Sequence, residues 1–143
     1  MFIIFEGLDK SGKGTLEREL LKATNYKHIV IDRGPVGYLT FDEIFGRNTL
    51  LGDIEFMHLS KLVADSEDFL VVYCTADKKV VDERLKEHNE TCPYDYKKAQ
   101  KIYRDNVRRY YNSSRLIEID TSVHSIKSGI LMIIEKLSEL RRL

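Results

Sequence analysis

Residues 7–15 are the stretch that most constrains how this chain can fold, and they read Gly-Leu-Asp-Lys-Ser-Gly-Lys-Gly-Thr. An apolar run, residues 2–5, comes before them and a helix-forming stretch, residues 16–21, follows them. Glycines let a loop turn tightly and bring backbone N–H groups close to a ligand. Those groups, the helix N-terminus and the charge of Lys13 together suit a polyphosphate. A strand, a glycine-rich loop and a helix in this order predict a phosphate-binding loop rather than an inert turn.

The loop departs from the usual pattern at one position. That pattern places Ser or Thr directly after the lysine, where the hydroxyl holds Mg²⁺. Here Gly14 follows the lysine, and the hydroxyl comes one residue later, at Thr15. We therefore expect Thr15 to contact phosphate, and we keep it as a candidate ligand of Mg²⁺.

Composition narrows the class of protein. The chain has 143 residues, which predicts one domain over 1–143, and its 43% hydrophobic and 32% charged residues are typical of a globular protein. Lys plus Arg equals Asp plus Glu, at 23 each, so no charge bias favours nucleic acid as a partner. No apolar run reaches membrane-spanning length. Cys74 lies in an apolar run, and the cysteines and histidines show no metal-binding spacing, so we expect reduced thiols and a cytoplasmic location.

The rest of the chain alternates short apolar runs with helical patterns. We predict strands at 28–32, 69–74 and 116–120, the first of them buried on both faces. Helices are predicted at 15–24, 38–45, 96–111 and 123–142, with two more that begin after the N-caps Asp53 and Asp77 and a turn at 33–37. This alternation predicts an α/β fold with a parallel sheet and right-handed crossovers.

Asp32 and Arg33 end the second strand, at the same edge of the sheet as the phosphate loop. An acid at the end of an apolar run can position Mg²⁺, and a guanidinium can grip an acceptor phosphate with two parallel hydrogen bonds. The alternative is a capping or ion-paired Asp-Arg at a strand end. Beside a phosphate loop we favour the functional interpretation.

A second group of basic residues follows the third strand. Arg84 is placed to reach a transferring phosphate, although it could equally pair with Asp82, Glu83 or Glu87 on a solvated helix. The polar segment 88–95, which contains Pro93, is predicted to be a mobile lid. Segment 96–115 is rich in Lys, Arg and Tyr, and we interpret it as a solvated helix face with its tyrosines packed inward rather than as a nucleic-acid surface.

The opening stretch, Phe5 to Thr15, resembles that of thymidylate kinases, while Gly12-Lys13-Gly14-Thr15 is closer to adenylate kinases. Asp32-Arg33 resembles the Asp-Arg-Tyr motif of the thymidylate kinases, with Gly34 in place of the tyrosine. The resemblance implies that Asp9 lies beside the acceptor, that Arg33 holds its phosphate, and that Phe41 falls at a substrate-binding position. It also implies that Lys10 helps stabilise the transferred phosphate and that Arg84 matches a lid arginine. By analogy with phosphate-loop kinases, the fold has three layers with strand order 2-1-3-4.

The expected function is therefore an ATP- and Mg²⁺-dependent phosphotransferase that acts on a (deoxy)nucleoside monophosphate such as dTMP. Two alternatives stay open: a kinase for a nucleoside or polynucleotide 5′-hydroxyl, and a nucleotide-binding regulatory module. A homodimer is left open as well. The catalytic candidates are Lys13, Arg33 and Arg84, the substrate candidates are Asp9, Arg33 and Phe41, and the metal candidates are Thr15 and Asp32. ATP is expected to lie on Gly7, Asp9, Lys10, Ser11, Gly12, Lys13, Gly14 and Thr15.

Overall fold

The computed structural model describes residues 1–47, 61 and 68–141. Strands and helices alternate along these ranges. In chain order they are β1 (Phe2–Glu6), α1 (Lys13–Ala23), β2 (Ile29–Asp32), α2 (Pro35–Phe45), β3 (Phe69–Thr75), α3 (Lys78–Glu87), α4 (Tyr96–Tyr110), a 3₁₀ turn (Ser113–Arg115), β4 (Leu116–Asp120) and α5 (Ile126–Arg141). The helix predicted to begin at Asp53 lies outside the described residues.

The described strands form a four-stranded sheet in the order β2-β1-β3-β4. All of its neighbours are parallel, with Ile3 paired to Val30 on one side and to Leu70 on the other, and Val72 paired to Ile117. The predicted α/β class and strand order are confirmed. Because the strands are parallel, the phosphate loop, Asp32 and the residues after β3 and β4 all emerge at one edge of the sheet.

Two hydrophobic layers cover the faces of the sheet. Alternate residues of β1 and β3 point to opposite faces, as the two-residue period of a strand requires. Ile4, Val71 and Tyr73 pack with residues of α2, α3 and α4 in one cluster. The other cluster joins the second face of the sheet to α1 and α5, through Ile3, Phe5, Leu70, Val72, Leu16, Leu20 and Ile133. The structure thus has the expected three layers, and every residue of β3 is buried.

Two local predictions are wrong. The second strand was expected to be buried on both faces, but β2 lies at the sheet edge with Ile29 58% and Ile31 39% exposed. An apolar run alone does not distinguish an edge strand from a central one. The turn predicted at 33–37 is instead the start of α2, because Pro35 stands at the first helical positions, where its missing N–H costs nothing.

The tyrosines of the basic segment pack inward, as predicted. Tyr96, Tyr103 and Tyr111 are buried, whereas Arg108 pairs on the surface with Glu118 at 2.8 Å. Cys74 and Cys92 are both free thiols, and burial raises the pKa of Cys74 to about 12. A thiol with so high a pKa stays protonated and unreactive, in agreement with a core role.

Candidate nucleotide-binding site

The phosphate loop takes its shape from backbone conformations that favour glycine. Gly7 follows β1 with φ 146°, and a Cβ there would lie 2.5 Å from the carbonyl oxygen of Cys74 on β3. Gly12, with φ 93°, is the N-cap of α1 and packs against Thr121. The first N–H groups of α1 consequently point out of the loop, where they and the helix dipole favour an anion.

A cavity of about 980 Å³ opens above this loop and extends between α3 and the segment that follows β4. Its volume suits a nucleotide. Six of the eight predicted ATP-binding residues line it: Asp9, Lys10, Gly12, Lys13, Gly14 and Thr15. Gly7 and Ser11 are not among the lining residues, and Ser11 is only 1% exposed. The Ser11 hydroxyl lies inside the loop, close to Gly7, so it faces away from the cavity.

Lys13 lies against the acid that ends β2. Its Nζ is 3.6 Å from Oδ1 of Asp32, and the Lys13 side chain is only 10% exposed while that of Asp32 is 62% exposed. An ammonium held in a sheltered position by one carboxylate is a point charge ready for phosphate oxygens. The structure thus brings a predicted catalytic residue next to a predicted metal ligand.

Arg33 is held in an unusual backbone conformation beside the loop. Its φ of 63° lies in the left-handed region, and its N–H donates to the carbonyl oxygen of Phe5 at 2.9 Å. The guanidinium lies 4.1 Å from the ring centre of Phe41 and 3.3 Å from Oδ1 of Asp9. The three predicted substrate residues are therefore neighbours. The Phe41 ring is only 5% exposed and packs in the core against Phe45, Tyr94 and Tyr103, with the guanidinium over it.

Glu6 is a buried carboxylate that the sequence analysis did not single out. Four donors face its two oxygens: the hydroxyls of Tyr103 and Tyr111 and the N–H groups of Gly34 and Gly37. Burial raises its pKa, while these hydrogen bonds act in the opposite direction. Since Gly34 and Gly37 begin α2, Glu6 fixes the start of that helix and with it the neighbouring Arg33.

Arg84 lines the cavity from α3 but makes none of the ion pairs considered for it. Its Nη1 donates to the carbonyl oxygen of Lys10 at 2.7 Å and to the hydroxyl of Thr121 at 3.1 Å. Asp82, one of the acids weighed as its partner, pairs with Lys78 at 2.7 Å instead. Arg84 therefore joins the phosphate loop to the end of β4, and Thr121 is a second residue that the sequence analysis missed.

The irregular segment 88–95 contacts the phosphate loop through an ion pair. Nζ of Lys10 lies 3.5 Å from Oε1 of Glu90, and Lys10 itself has a φ of 64°. Tyr94 of the same segment packs edge-on against Phe41 and Phe45, with ring centres 6.2 and 5.8 Å apart. These contacts place the segment beside both Lys10 and the Arg33 side of the site.

The acidic residues near Lys13 fit a magnesium ion that is also held by phosphates. Mg²⁺ keeps several waters and takes one or two carboxylates plus substrate phosphates. Asp32 meets Glu17 of α1 there, and burial, followed by the neighbouring Asp32, raises the pKa of Glu17 to about 7. Oε1 of Glu17 is buried with no hydrogen-bond partner among the described residues. Among all the residues that the structure describes, no group of three or more His, Cys, Asp or Glu side chains could bind a metal without other ligands.

Several solved structures share this fold, among them the following three. The YorR protein of Bacillus subtilis, in complex with phosphorylated GDP, matches with a TM-score of 0.80 at 20% identity, over 99% of this chain and 98% of that one. Deoxyadenosine kinase from M. mycoides, with dCMP and dCDP, matches with a TM-score of 0.65 at 13% identity, over 98% and 100%. Thymidylate kinase from Candida albicans matches with a TM-score of 0.59 at 13% identity, over 98% and 92%. No protein-family model and no curated protein sequence matches the chain.

The fold is that of phosphate-loop kinases of nucleosides and nucleotides, as the resemblance to thymidylate kinases led us to expect. These identities establish the fold alone, so the activity has to be argued from the site. Through the described ranges, the structure contains no helix of the length and apolarity needed to cross a membrane.

Proposed function

We propose that this chain is an ATP-dependent phosphotransferase that moves the γ-phosphate of ATP to a nucleoside monophosphate, with deoxynucleotides such as dTMP as the first acceptors to test. The observation that carries the proposal is that the adjacent residues Asp32 and Arg33 each form an ion pair with a residue of the phosphate loop. Asp32 pairs with Lys13, and Arg33 pairs with Asp9. These ion pairs support the assignment of one cation to each substrate, Lys13 to the phosphates of ATP and Arg33 to that of the acceptor.

On the donor side, ATP would lie in the cavity above the phosphate loop. The N–H groups at the start of α1 and the Lys13 ammonium would bind its β- and γ-phosphates. When bound, Mg²⁺ would neutralise charge on the β- and γ-phosphate oxygens. Thr15 lines the cavity and would contact the phosphates, and Asp32, which pairs with Lys13, would help to hold the metal.

On the acceptor side, Arg33 would bind the monophosphate. Arg33 is absent from the residues that line the donor cavity, but its partner Asp9 lines it. An acceptor phosphate on Arg33 would therefore reach the γ-phosphate across Asp9. In the proposed reaction an acceptor phosphate oxygen forms a bond to the γ-phosphorus while the bond to the β,γ-bridging oxygen breaks, leaving ADP. Lys13 and Lys10 would stabilise the charge on the transferred group.

The structural neighbours carry the names of both acceptor classes. The thymidylate kinase, described as having broad substrate specificity, is named for a nucleoside monophosphate and supports the proposal. The deoxyadenosine kinase, solved with its products dCMP and dCDP, is named for a nucleoside and supports the hydroxyl-acceptor alternative. The hydroxyl-acceptor alternative needs a base close to the acceptor. Asp32 and Asp9, whose side chains are exposed beside Lys13 and Arg33, are the candidates for that base, so the acceptor panel has to separate this alternative from the proposal.

An acceptor panel tests this proposal. The full chain, ATP and Mg²⁺ are incubated with ribo- and deoxynucleoside monophosphates, with the matching nucleosides, and with a 5′-hydroxyl oligonucleotide, and the products are separated by chromatography. We expect nucleoside diphosphates to form. If only nucleosides or oligonucleotides are phosphorylated, the hydroxyl-acceptor function replaces this one, and tight ATP binding without transfer to any acceptor would indicate the regulatory module.

A further inference from the structure

The phosphate loop lacks the hydroxyl that follows the lysine in most loops of this kind. Gly14 is exposed at that position, and no described atom lies within 4 Å of the place where its Cβ would be. The space that a Ser or Thr side chain fills in the usual pattern is therefore open. A metal ion held there by the usual hydroxyl would need another oxygen ligand from this chain.

Glu17 offers such an oxygen from the same helix. It stands four residues after Lys13, so the two side chains lie on one face of α1, one turn apart. Its carboxyl group shares a hydrogen bond with that of Asp32 when one of the two is protonated, and the Lys13 charge acts on it as well. When both groups are ionised that bond is lost, and the buried Oε1 of Glu17 has no hydrogen-bond partner among the described residues. A carboxylate oxygen in that situation costs free energy unless something binds to it.

A divalent cation removes this cost. Two carboxylates forced together repel each other when both are ionised. Lys13 already pairs with one of these two, Asp32. A magnesium ion held by these carboxylates and by phosphates would satisfy the free oxygen and balance the second negative charge. With Asp32 engaged in this way, the Lys13 ammonium would be available to the phosphates.

We propose that Glu17, together with Asp32, supplies the protein ligands of the nucleotide-bound magnesium ion, and that Glu17 takes over the role of the hydroxyl missing at Gly14. The inference rests on the proposed function only in requiring that a nucleotide bind the loop. Thr15 then contacts phosphate rather than the metal. Glu17 is thus the further residue that this site needs for metal binding.

The test measures metal affinity instead of turnover. Mn²⁺ serves as the probe, and its binding to the full chain loaded with ADP is followed by electron paramagnetic resonance of the free ion. We expect Glu17→Gln to weaken Mn²⁺ binding by at least about tenfold, because the loss of even an outer-sphere partner costs roughly 10- to 100-fold. Glu19→Gln is the matched control, since Glu19 lies on the same helix but pairs with Lys22 at 3.3 Å. It should leave the Mn²⁺ affinity unchanged.

Restoring the missing hydroxyl gives an independent arm. Gly14→Ser introduces a side chain into open space, so it should fold normally and, in the Glu17→Gln background, recover most of the lost Mn²⁺ affinity. Binding of ADP without metal, measured in the presence of a chelator, should be as tight or tighter in Glu17→Gln, because a negative charge beside the phosphates is removed. Circular dichroism checks that each variant is folded.

Three results would overturn the inference. They are unchanged Mn²⁺ affinity in Glu17→Gln, failure of Gly14→Ser to restore it, and an equal loss of metal-free ADP binding, which would reveal a structural role. A chain that binds Mn²⁺ and ADP through Glu17 but phosphorylates no acceptor would refute the proposed function alone. A wild-type chain that binds no ADP would refute both.

Discussion

The hydrogen bonds around Glu6 give the sharpest stability prediction, because the chain contains its own control. The hydroxyl of Tyr111 donates to Oε1 of Glu6 at 2.8 Å, and the Tyr111 side chain is buried. Tyr73 is also buried, yet its hydroxyl has no hydrogen-bond partner among the described residues. Replacing each tyrosine by phenylalanine removes a hydroxyl from a buried ring, and of the two hydroxyls only that of Tyr111 has hydrogen-bond partners, Glu6 and the backbone of Val36.

Tyr111→Phe and Tyr73→Phe should change the free energy of unfolding by different amounts. A hydrogen bond to a charged group contributes about 1.5–3 kcal/mol, so Tyr111→Phe should lower the free energy of unfolding by that amount. Tyr73→Phe removes a hydroxyl that lost its water on folding and gained nothing in return, so it should be neutral or stabilising. The ring of Tyr73 stacks on Tyr103 with 5.5 Å between ring centres, and phenylalanine keeps that contact.

Urea unfolding followed by far-ultraviolet circular dichroism measures both changes, since the chain has no Trp to report by fluorescence. With a denaturant slope of roughly 1–3 kcal/mol per molar, the two midpoints should differ by about 0.5–3 M. Tyr111→Phe should also cost much less in a Glu6→Gln background, because the acceptor charge is then absent. Equal costs for the two single variants, or a larger cost for Tyr73→Phe, would refute the role assigned to Glu6.

Three further predictions concern other parts of the molecule. Lys13→Ala should abolish most ATP-supported turnover while the circular dichroism spectrum stays that of the wild type, and a folded variant with wild-type turnover would contradict the role of Lys13. Amide exchange in 88–95 should slow when a non-hydrolysable ATP analogue binds, because a lid closes over the bound nucleotide; unchanged exchange at saturation counts against a lid. Burial, followed by the charge of the N-terminal ammonium, lowers the pKa of His28. The folded chain therefore protonates His28 at a lower pH than the unfolded chain does. Stability from this residue is complete above the ordinary value of 6.5 and is lost as the pH falls below it, so the free energy of unfolding of His28→Asn, measured by urea titration, should fall less on acidification.

The sequence predicts the fold because its strongest signals are local. The strand, glycine loop and helix around Lys13 are contiguous, and the apolar run of β3 is long enough to require burial on both faces. The start of α2 was missed because Pro35 suits a turn and the first turn of a helix equally well. The exposure of β2 was missed because the same apolar run serves an edge strand or a central one.

Some residues of the site could be predicted from the local sequence, and others could not. The loop residues and Asp32-Arg33 were found because each follows a strand directly. Glu6 was missed because its tyrosine partners lie 97 and 105 residues away along the chain, so its burial and its role emerge only when α4 packs on the sheet. A polar residue at the end of an apolar strand was the available signal. Glu17 reads as an ordinary helix residue until β2 brings Asp32 beside it.

The kinetics of Arg33→Lys test the central claim, that Lys13 serves the donor and Arg33 the acceptor. Initial rates are measured over a matrix of ATP and monophosphate concentrations, and ATP binding is measured separately by calorimetry. Lysine keeps the charge but loses the paired hydrogen bonds, which is worth roughly 1.5–3 kcal/mol. The account predicts a fall of about ten- to a hundred-fold in kcat/KM for the monophosphate, with ATP affinity unchanged. Weakened ATP binding with unaltered acceptor kinetics would place Arg33 in the donor site and contradict the account.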